Sequence, residues 1–223
     1  MNQKMIFLTI EGDEYYERNR KKYDDALKTP NEDPIVQCLF QLDLSPKKVL
    51  EIGCGNGWRL NILNNIYKTV GYGLDPSEKA IQRGKEEIPQ LHLEKGTAEQ
   101  LPYEKSTFDL VIFGFCLYLC DRHDLFKIAY EADRVLEDFG HIVIYDFHPP
   151  FHYKNDYAHH NGLYSYKMNY SNLFLWNPSY TLRYQKLFFH PPLKKGTFDD
   201  AVSVMALEKN VDCAFPYNPY REI

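Results

Sequence analysis

Along residues 49–147, short apolar runs alternate with polar stretches whose apolar positions recur every three or four residues. Lys48-Val49-Leu50-Glu51-Ile52 predicts a strand. Residues 58–67 predict a helix with Leu60, Leu63 and Tyr67 on one face. Residues 69–74 predict the next strand, and Asp75-Pro76-Ser77 then opens a helix to about Glu87, with Pro76 in its first turn. Residues 91–95 read as a short strand. Residues 108–115 are almost unbroken apolar, the pattern of a strand buried on both faces. Residues 122–136 predict a helix whose apolar side is Leu125, Ile128, Ala129, Ala132 and Leu136. Gly140 is expected to break the chain before a strand at 141–147. Strands and helices alternating at this spacing imply right-handed crossovers and a parallel sheet.

The flanks differ. Residues 1–44 read as a helical arm, with 13–27 its clearest helix and Asp13 its cap. Residues 181–190 and 199–209 alternate like an antiparallel hairpin, with Pro191, Pro192 and residues 198–200 suited to the turn. The expected fold is α/β: a Rossmann-like, doubly wound, seven-stranded sheet of five parallel strands plus a C-terminal antiparallel hairpin. One domain is expected: arm 1–44, core 45–147, aromatic insertion 148–180 and hairpin 181–223.

The chain has 223 residues, 44% hydrophobic and 26% charged, which excludes a disordered polymer and leaves enough apolar material for a sizeable core. The best apolar run, residues 110–120, falls well short of the roughly 20 residues a membrane helix needs. Residues 5–8 are too short for a secretory leader, and Glu11, Asp13 and Glu14 follow them, so a cytoplasmic protein without a membrane partner is expected. A net charge of −5 supplies no basic excess for an extended nucleic-acid surface. The cysteines at 38, 54, 116, 120 and 213 are odd in number and read as reduced thiols. Cys116 and Cys120 lack the CxxC spacing of zinc sites, and no metal is expected.

Candidate chemistry begins at Glu51-Ile52-Gly53-Cys54-Gly55-Asn56-Gly57, which ends one strand and opens a helix. Glycines there allow a tight turn and a close ligand approach to the backbone. Asp75 ends the next strand, where a carboxylate can accept both hydroxyls of a ribose. A nicotinamide fingerprint would need glycine at position 58, which is Trp58. No GxxxxGK[ST] phosphate loop occurs. The acidic Glu51 suits a cationic ligand end, such as an amino group or a sulfonium.

Several motifs in order resemble the class I S-adenosylmethionine-dependent methyltransferases. Residues 49–57 resemble the first motif, and Gly73-Leu74-Asp75-Pro76-Ser77 the acidic second. Residues 96–103 followed by Phe108-Asp109-Leu110-Val111 resemble the third and fourth. Arg134-Val135-Leu136 with residues 140–144 resembles the helix-to-fifth-strand segment. The likeness covers residues 45–148. It implies S-adenosylmethionine as cofactor and S-adenosylhomocysteine as product. It also implies that Gly53, Cys54 and Gly55 line the methionine part through their backbone and that Glu51 holds its amino group, directly or through water. Asp75 would bind the ribose, Pro76 would pack on adenine, and Ala98 would offer it backbone contacts. Phe113 would give its carbonyl to the amino group. Thr97 stands where the family often has Asp, so Glu99 would share the contact to the adenine amino group. Tyr118 falls where relatives carry a residue facing the transferable methyl.

Tyr15, Arg18 and Asn19 share one face of the arm helix. By similarity Tyr15 and Asn19 would touch the cofactor carboxylate; the alternative is a solvated helix with one buried Tyr. His148 follows the fifth strand, beyond the carboxyl ends of the sheet, and can serve as general base toward an acceptor. Residues 145–190 carry 14 of the 34 aromatics and five of the eight histidines. The tyrosines from Tyr153 to Tyr184 form either a lid over a small acceptor pocket or a dimer interface. Monomer and homodimer stay open. The expected activity is methyl transfer to O or N of a small polar molecule, such as a sugar or cell-surface polysaccharide precursor. The alternatives are an RNA or protein methyltransferase and a non-catalytic cofactor-binding module.

Overall fold

The structure, a computed structural model, describes residues 2–189, 199 and 201–220. Its strands are β1 (Lys48–Ile52), β2 (Val70–Asp75), β3 (His92–Lys95), β4 (Phe108–Gly114), β5 (Leu136–Phe147), β6 (Tyr153–Asp156), β7 (Tyr164–Lys167), β8 (Tyr180–Phe189) and β9 (Ala201–Lys209). Seven of them form one sheet in the order β3-β2-β1-β4-β5-β9-β8. The first five are parallel, and β9 runs antiparallel to both β5 and β8. This is the expected Rossmann-like sheet with its terminal antiparallel pair. The strand order reverses between β1 and β4, and open α/β sheets bind ligands beyond the carboxyl ends at such a switch point.

The helices are α1 (Gln3–Ile6), α2 (Gly12–Ala26), α3 (Pro34–Gln41), α4 (Trp58–Tyr67), α5 (Glu78–Glu87), α6 (Leu125–Val135), α7 (Asn172–Leu175) and α8 (Val211–Ala214). Alternate residues of β1 feed the two faces of the sheet. Val49 packs with Leu39 of α3, Leu63 of α4 and Ile81 of α5, whereas Leu50 and Ile52 pack with Ile128, Ala132 and Val135 of α6. Both faces are thus dry, which is why β1 and β4 read as apolar runs.

Three local expectations are corrected. Pro76 lies outside α5: Ser77 is the cap, its Oγ accepting Ala80 N at 3.1 Å. Gly140 does not break the chain, because β5 runs through it from Leu136; the irregularity is a register shift, with Phe139 at φ 62°. Asp13 does not cap its own helix, because a π-helical turn (Phe7–Glu11) runs straight into α2. Its carboxylate accepts Ser77 Oγ at 2.7 Å and Lys79 N at 3.1 Å, so the arm caps α5 instead. A Cβ on Gly12 would stand 3.2 Å from Ser77 N and 3.3 Å from the Pro76 carbonyl carbon, so the arm lies directly on this loop. Asp13→Ala should cost about 1 kcal/mol of stability, read by urea unfolding; an unchanged midpoint would show that the arm does not cap α5.

The aromatic segment divides. Strands β6 and β7 form a separate two-stranded ribbon. Tyr170, Phe174 and Tyr180 belong to the core instead: Phe174 packs on Phe113 and Tyr180, and Tyr170 Oη donates to Tyr166 O at 2.6 Å. Much of the expected lid is therefore interior. The turn expected at Pro191, Pro192 and 198–200 lies outside the described residues, Asp199 apart.

Candidate active site

The left-handed glycines of the β1–α4 turn, at φ +75° (Gly53), +55° (Gly55) and +78° (Gly57), fold it back onto the end of β2. Gly53 N and Cys54 N both donate to Leu74 O, at 2.8 and 3.2 Å. Gly55 N donates to Asp75 Oδ2 at 2.8 Å, and Ser77 N to Asp75 Oδ1 at 2.9 Å. Two backbone donors thus orient Asp75 while leaving it acceptor capacity. Burial pushes its carboxyl up to about 6.

Beyond this turn lies a cleft. Gly53, Asp75, Pro76, Thr97, Ala98 and Glu99 border it, and Lys4, Phe7 and Tyr15 of the arm reach into it. Thr97 Oγ1 donates to Glu99 Oε1 at 2.8 Å, and Lys4 Nζ lies 2.8 Å from the same oxygen and 2.9 Å from Asp124 Oδ2. The two carboxylates hold the Lys4 ammonium well above its ordinary pKa.

A second groove adjoins the first. Tyr15, Tyr23, Gly53, Gly114 and Phe115 are common to both. Tyr118, Phe147, Tyr157 and His159 line the groove alone, and the Tyr118 and Tyr15 hydroxyls stand 3.5 Å apart.

Beneath Gly114 sits a buried ionic cluster. Arg59 Nη1 donates to Glu51 Oε1, and Arg59 Nε donates to Asp33 Oδ2 at 3.0 Å. Its guanidinium covers the Trp58 ring at 4.3 Å. Asp33 also caps α3 through Ile35 N and Val36 N. A Cβ on Gly114 would stand 2.5 Å from Glu51 Oε1, so glycine gives this carboxylate room directly below the shared wall. Glu51 is fully buried and its Oε2 has no hydrogen-bond partner among the described residues. Burial pushes its carboxyl up to about 7, against the pull of Arg59.

Of the residues singled out in the sequence, Tyr15, Gly53, Asp75, Pro76, Thr97, Ala98 and Glu99 converge on the cleft. The others do not border it. The Phe113 ring is buried against Phe174, and the next residues, Gly114 and Phe115, border the cleft. Cys54 packs beneath the turn against Gly73, and Gly55 backs onto Tyr23. Asn19 lines the second groove, its amide turned back to Tyr15 O. Tyr118 also lines that groove. His148 borders neither cavity: its backbone N donates to Ala201 O, and its Nδ1 is 2.9 Å from Ser203 Oγ. Antiparallel β9 thus engages both its backbone and its ring.

Asp146 escaped sequence reasoning. Leu117 N, Tyr118 N and Phe147 N all donate to its fully buried carboxylate, fixing the turn that carries Tyr118. Burial pushes it up to about 7. The available signal was a carboxylate ending the apolar run Ile142-Val143-Ile144-Tyr145. Lys4, Gly12 and His159 had no such signal, since only tertiary contact brings them to the cavities.

Residues 50–144 match the family described as a methyltransferase domain. An uncharacterized methyltransferase of Synechocystis is 37% identical over 113 residues, 50% of this chain and 53% of that protein. A Mycobacterium leprae phthiotriol/phenolphthiotriol dimycocerosates methyltransferase is 33% identical over 112 residues, 49% and 41% of the two chains. The crystal structure of an S-adenosylmethionine-dependent methyltransferase from Mesorhizobium loti superposes with a TM-score of 0.60 at 15% identity, covering 74% of this chain and 91% of that one. Over residues 50–144 the chain is thus similar to methyltransferase domains, and its fold is that of S-adenosylmethionine-dependent methyltransferases. It spans about half the length of the curated relatives it matches.

The donor set of the cleft can be compared with the cofactor of such methyltransferases. The oriented Asp75 suits a ribose and the fixed Glu99 suits an amino donor such as that of adenine, while Glu51 Oε2, without a hydrogen-bond partner among the described residues, lies below Gly114 and borders neither cavity. Among the described residues no three His, Cys, Asp or Glu side chains are arranged to hold a metal ion, and no helix is long and apolar enough to cross a membrane.

Proposed function

We propose that the chain transfers the methyl group of S-adenosylmethionine to an oxygen or nitrogen of a small polar acceptor bound in the second groove. The observation that carries this reading is the wall common to the two cavities, where a methyl carbon in one can meet a nucleophile from the other. The cofactor supplies an electrophilic methyl on sulfur. The chain supplies alignment and exclusion of water, which such a displacement chiefly needs. Asp75 accepts the ribose hydroxyls and Glu99 the adenine amino group. Tyr15 and Tyr118 close the wall around the reacting atoms. Arm, core and ribbon act as one domain in this reading, supported by the seat of Gly12 and Asp13 on the cofactor loop.

The rings of the groove suit the apolar face of a sugar as well as an aromatic acceptor. The relatives' names lend the sugar reading no support. A bounded groove and a net charge of −5 favour a small molecule over RNA. Five unpaired cysteines accord with a cytoplasmic location. The test is release of S-adenosylhomocysteine with a panel of phenols, methyl glycosides, carboxylic acids and amines, alongside calorimetric titration with S-adenosylhomocysteine. Micromolar binding and turnover with at least one acceptor are expected. Binding without turnover would make the chain a cofactor-binding module, and absence of binding would end the proposal.

A further inference from the structure

We propose that His159 is the residue that takes the proton from a hydroxyl acceptor in the second groove. This rests on the reading of that groove as the acceptor site. Among the described residues His159 is the one histidine that borders either cavity. Its ring nitrogens carry no hydrogen bond from the described residues, whereas His148 is engaged by Ser203 and His160 Nδ1 by Asn161 O.

The ring is also mounted firmly. It stands edge-on to Tyr157, with centroids 5.3 Å apart and planes at 74°. Tyr157 is buried against Phe7 and Leu163. Its hydroxyl donates to Glu11 Oε1 at 2.8 Å and accepts from Arg18 Nη2 at 3.2 Å, and Arg18 pairs with Glu11 in turn. Glu11 is fully buried. The ribbon that carries His159 is thereby fastened to the arm that carries Tyr15. The charged groups around the groove are Lys22, Glu32, Asp33 and Arg59, the last two paired with each other.

In the step, the acceptor oxygen bonds the methyl carbon, and the carbon–sulfur bond breaks with its electron pair left on sulfur as the neutral thioether. The hydroxyl proton passes to an unprotonated ring nitrogen of His159. The exposed ring then returns it to water. An imidazole is suited to this exchange near neutral pH.

The experiment compares wild type, His159→Ala, His159→Gln and His148→Ala, using the panel acceptor whose hydroxyl gives turnover. Both His159 variants should lose about 100-fold or more in kcat with S-adenosylhomocysteine affinity unchanged. His148→Ala should stay near wild type, and added imidazole should restore part of the His159→Ala rate. Independently of turnover, carbethoxylation of His159 by diethyl pyrocarbonate, read by peptide mass spectrometry, should slow when the acceptor is present and not with S-adenosylhomocysteine alone. A His159→Ala rate within threefold of wild type, or carbethoxylation indifferent to the acceptor, overturns the assignment. A wild type that binds S-adenosylhomocysteine but turns over no hydroxyl acceptor overturns it too; if nothing in the panel is methylated, the functional reading itself has failed.

Discussion

Arg59→Ala should cost about 3–5 kcal/mol of folding stability, the usual result of removing one partner from a buried ion pair. Arg59 serves two carboxylates, Glu51 and Asp33, both in the interior. Without the guanidinium, Glu51 loses the hydrogen bond to its Oε1, and the Asp33 cap of α3 carries an uncompensated charge. Burial already pushes Glu51 up to about 7, and loss of Arg59 leaves burial and the nearby acids Asp33 and Asp75, which all push it further. The variant should therefore bury a protonated Glu51, and its affinity for S-adenosylhomocysteine should fall with its stability. Arg59→Lys keeps the charge but lacks the fork that reaches both acids, so it should fall between. Urea unfolding reads the effect. A loss below about 1 kcal/mol for Arg59→Ala would mean that the acids have other partners and that Glu51 is not poised beneath the shared wall.

The parallel core was legible because its signals are local. β1 and β4 are apolar on both faces, and the turn between β1 and α4 needs left-handed residues that glycine supplies. Asp75 was legible for the same reason, as a carboxylate at the end of one strand facing the turn of another. Glu51 was found by position, but its bond to Arg59 was not, because Arg59 reads from sequence as one polar residue on an amphipathic helix. His148 was placed by its distance along the chain from the end of β5. That reasoning ignored β9, which pairs Phe147 with Val202 and ties the His148 backbone to Ala201. The aromatic excess pointed to a lid, yet a buried Tyr170 and an exposed Trp176 look alike in composition. The arm was the least legible part. Lys4, Gly12 and Asp13 act at Glu99, Pro76 and Ser77, more than sixty positions away. No periodicity reports a contact at that separation.

Asp75→Ala should weaken S-adenosylhomocysteine binding about 100-fold, the order expected when a carboxylate loses charge-assisted bonds to two hydroxyls. Asp75→Asn keeps an acceptor for Gly55 N and should lose less. Wild-type affinity should fall as the pH drops through about 6, where Asp75 takes up a proton and becomes a poorer acceptor, while the Asn variant should lose that component. Stability of the unliganded chain should run the other way. Glu51, Asp75 and Asp146 are raised to about 7, 6 and 7, so between pH 4 and 7 the folded state holds protons that the unfolded state has released. Their contribution is fully present below the ordinary carboxylate range and is lost as pH rises through 6 to 7. His141 and His148, lowered by burial, oppose this as the unfolded chain protonates near 6.5, but the carboxyl shifts are the larger. Tm should therefore be higher at pH 5.5 than at pH 8 without ligand, and saturating S-adenosylhomocysteine should raise it more at pH 8. The two slopes have one cause: the burial that disfavours an ionised Asp75 in the empty cleft strengthens its bond to a ribose hydroxyl once ionised. A ligand-induced Tm shift that is larger at pH 5.5 than at pH 8 would remove Asp75 from the binding site.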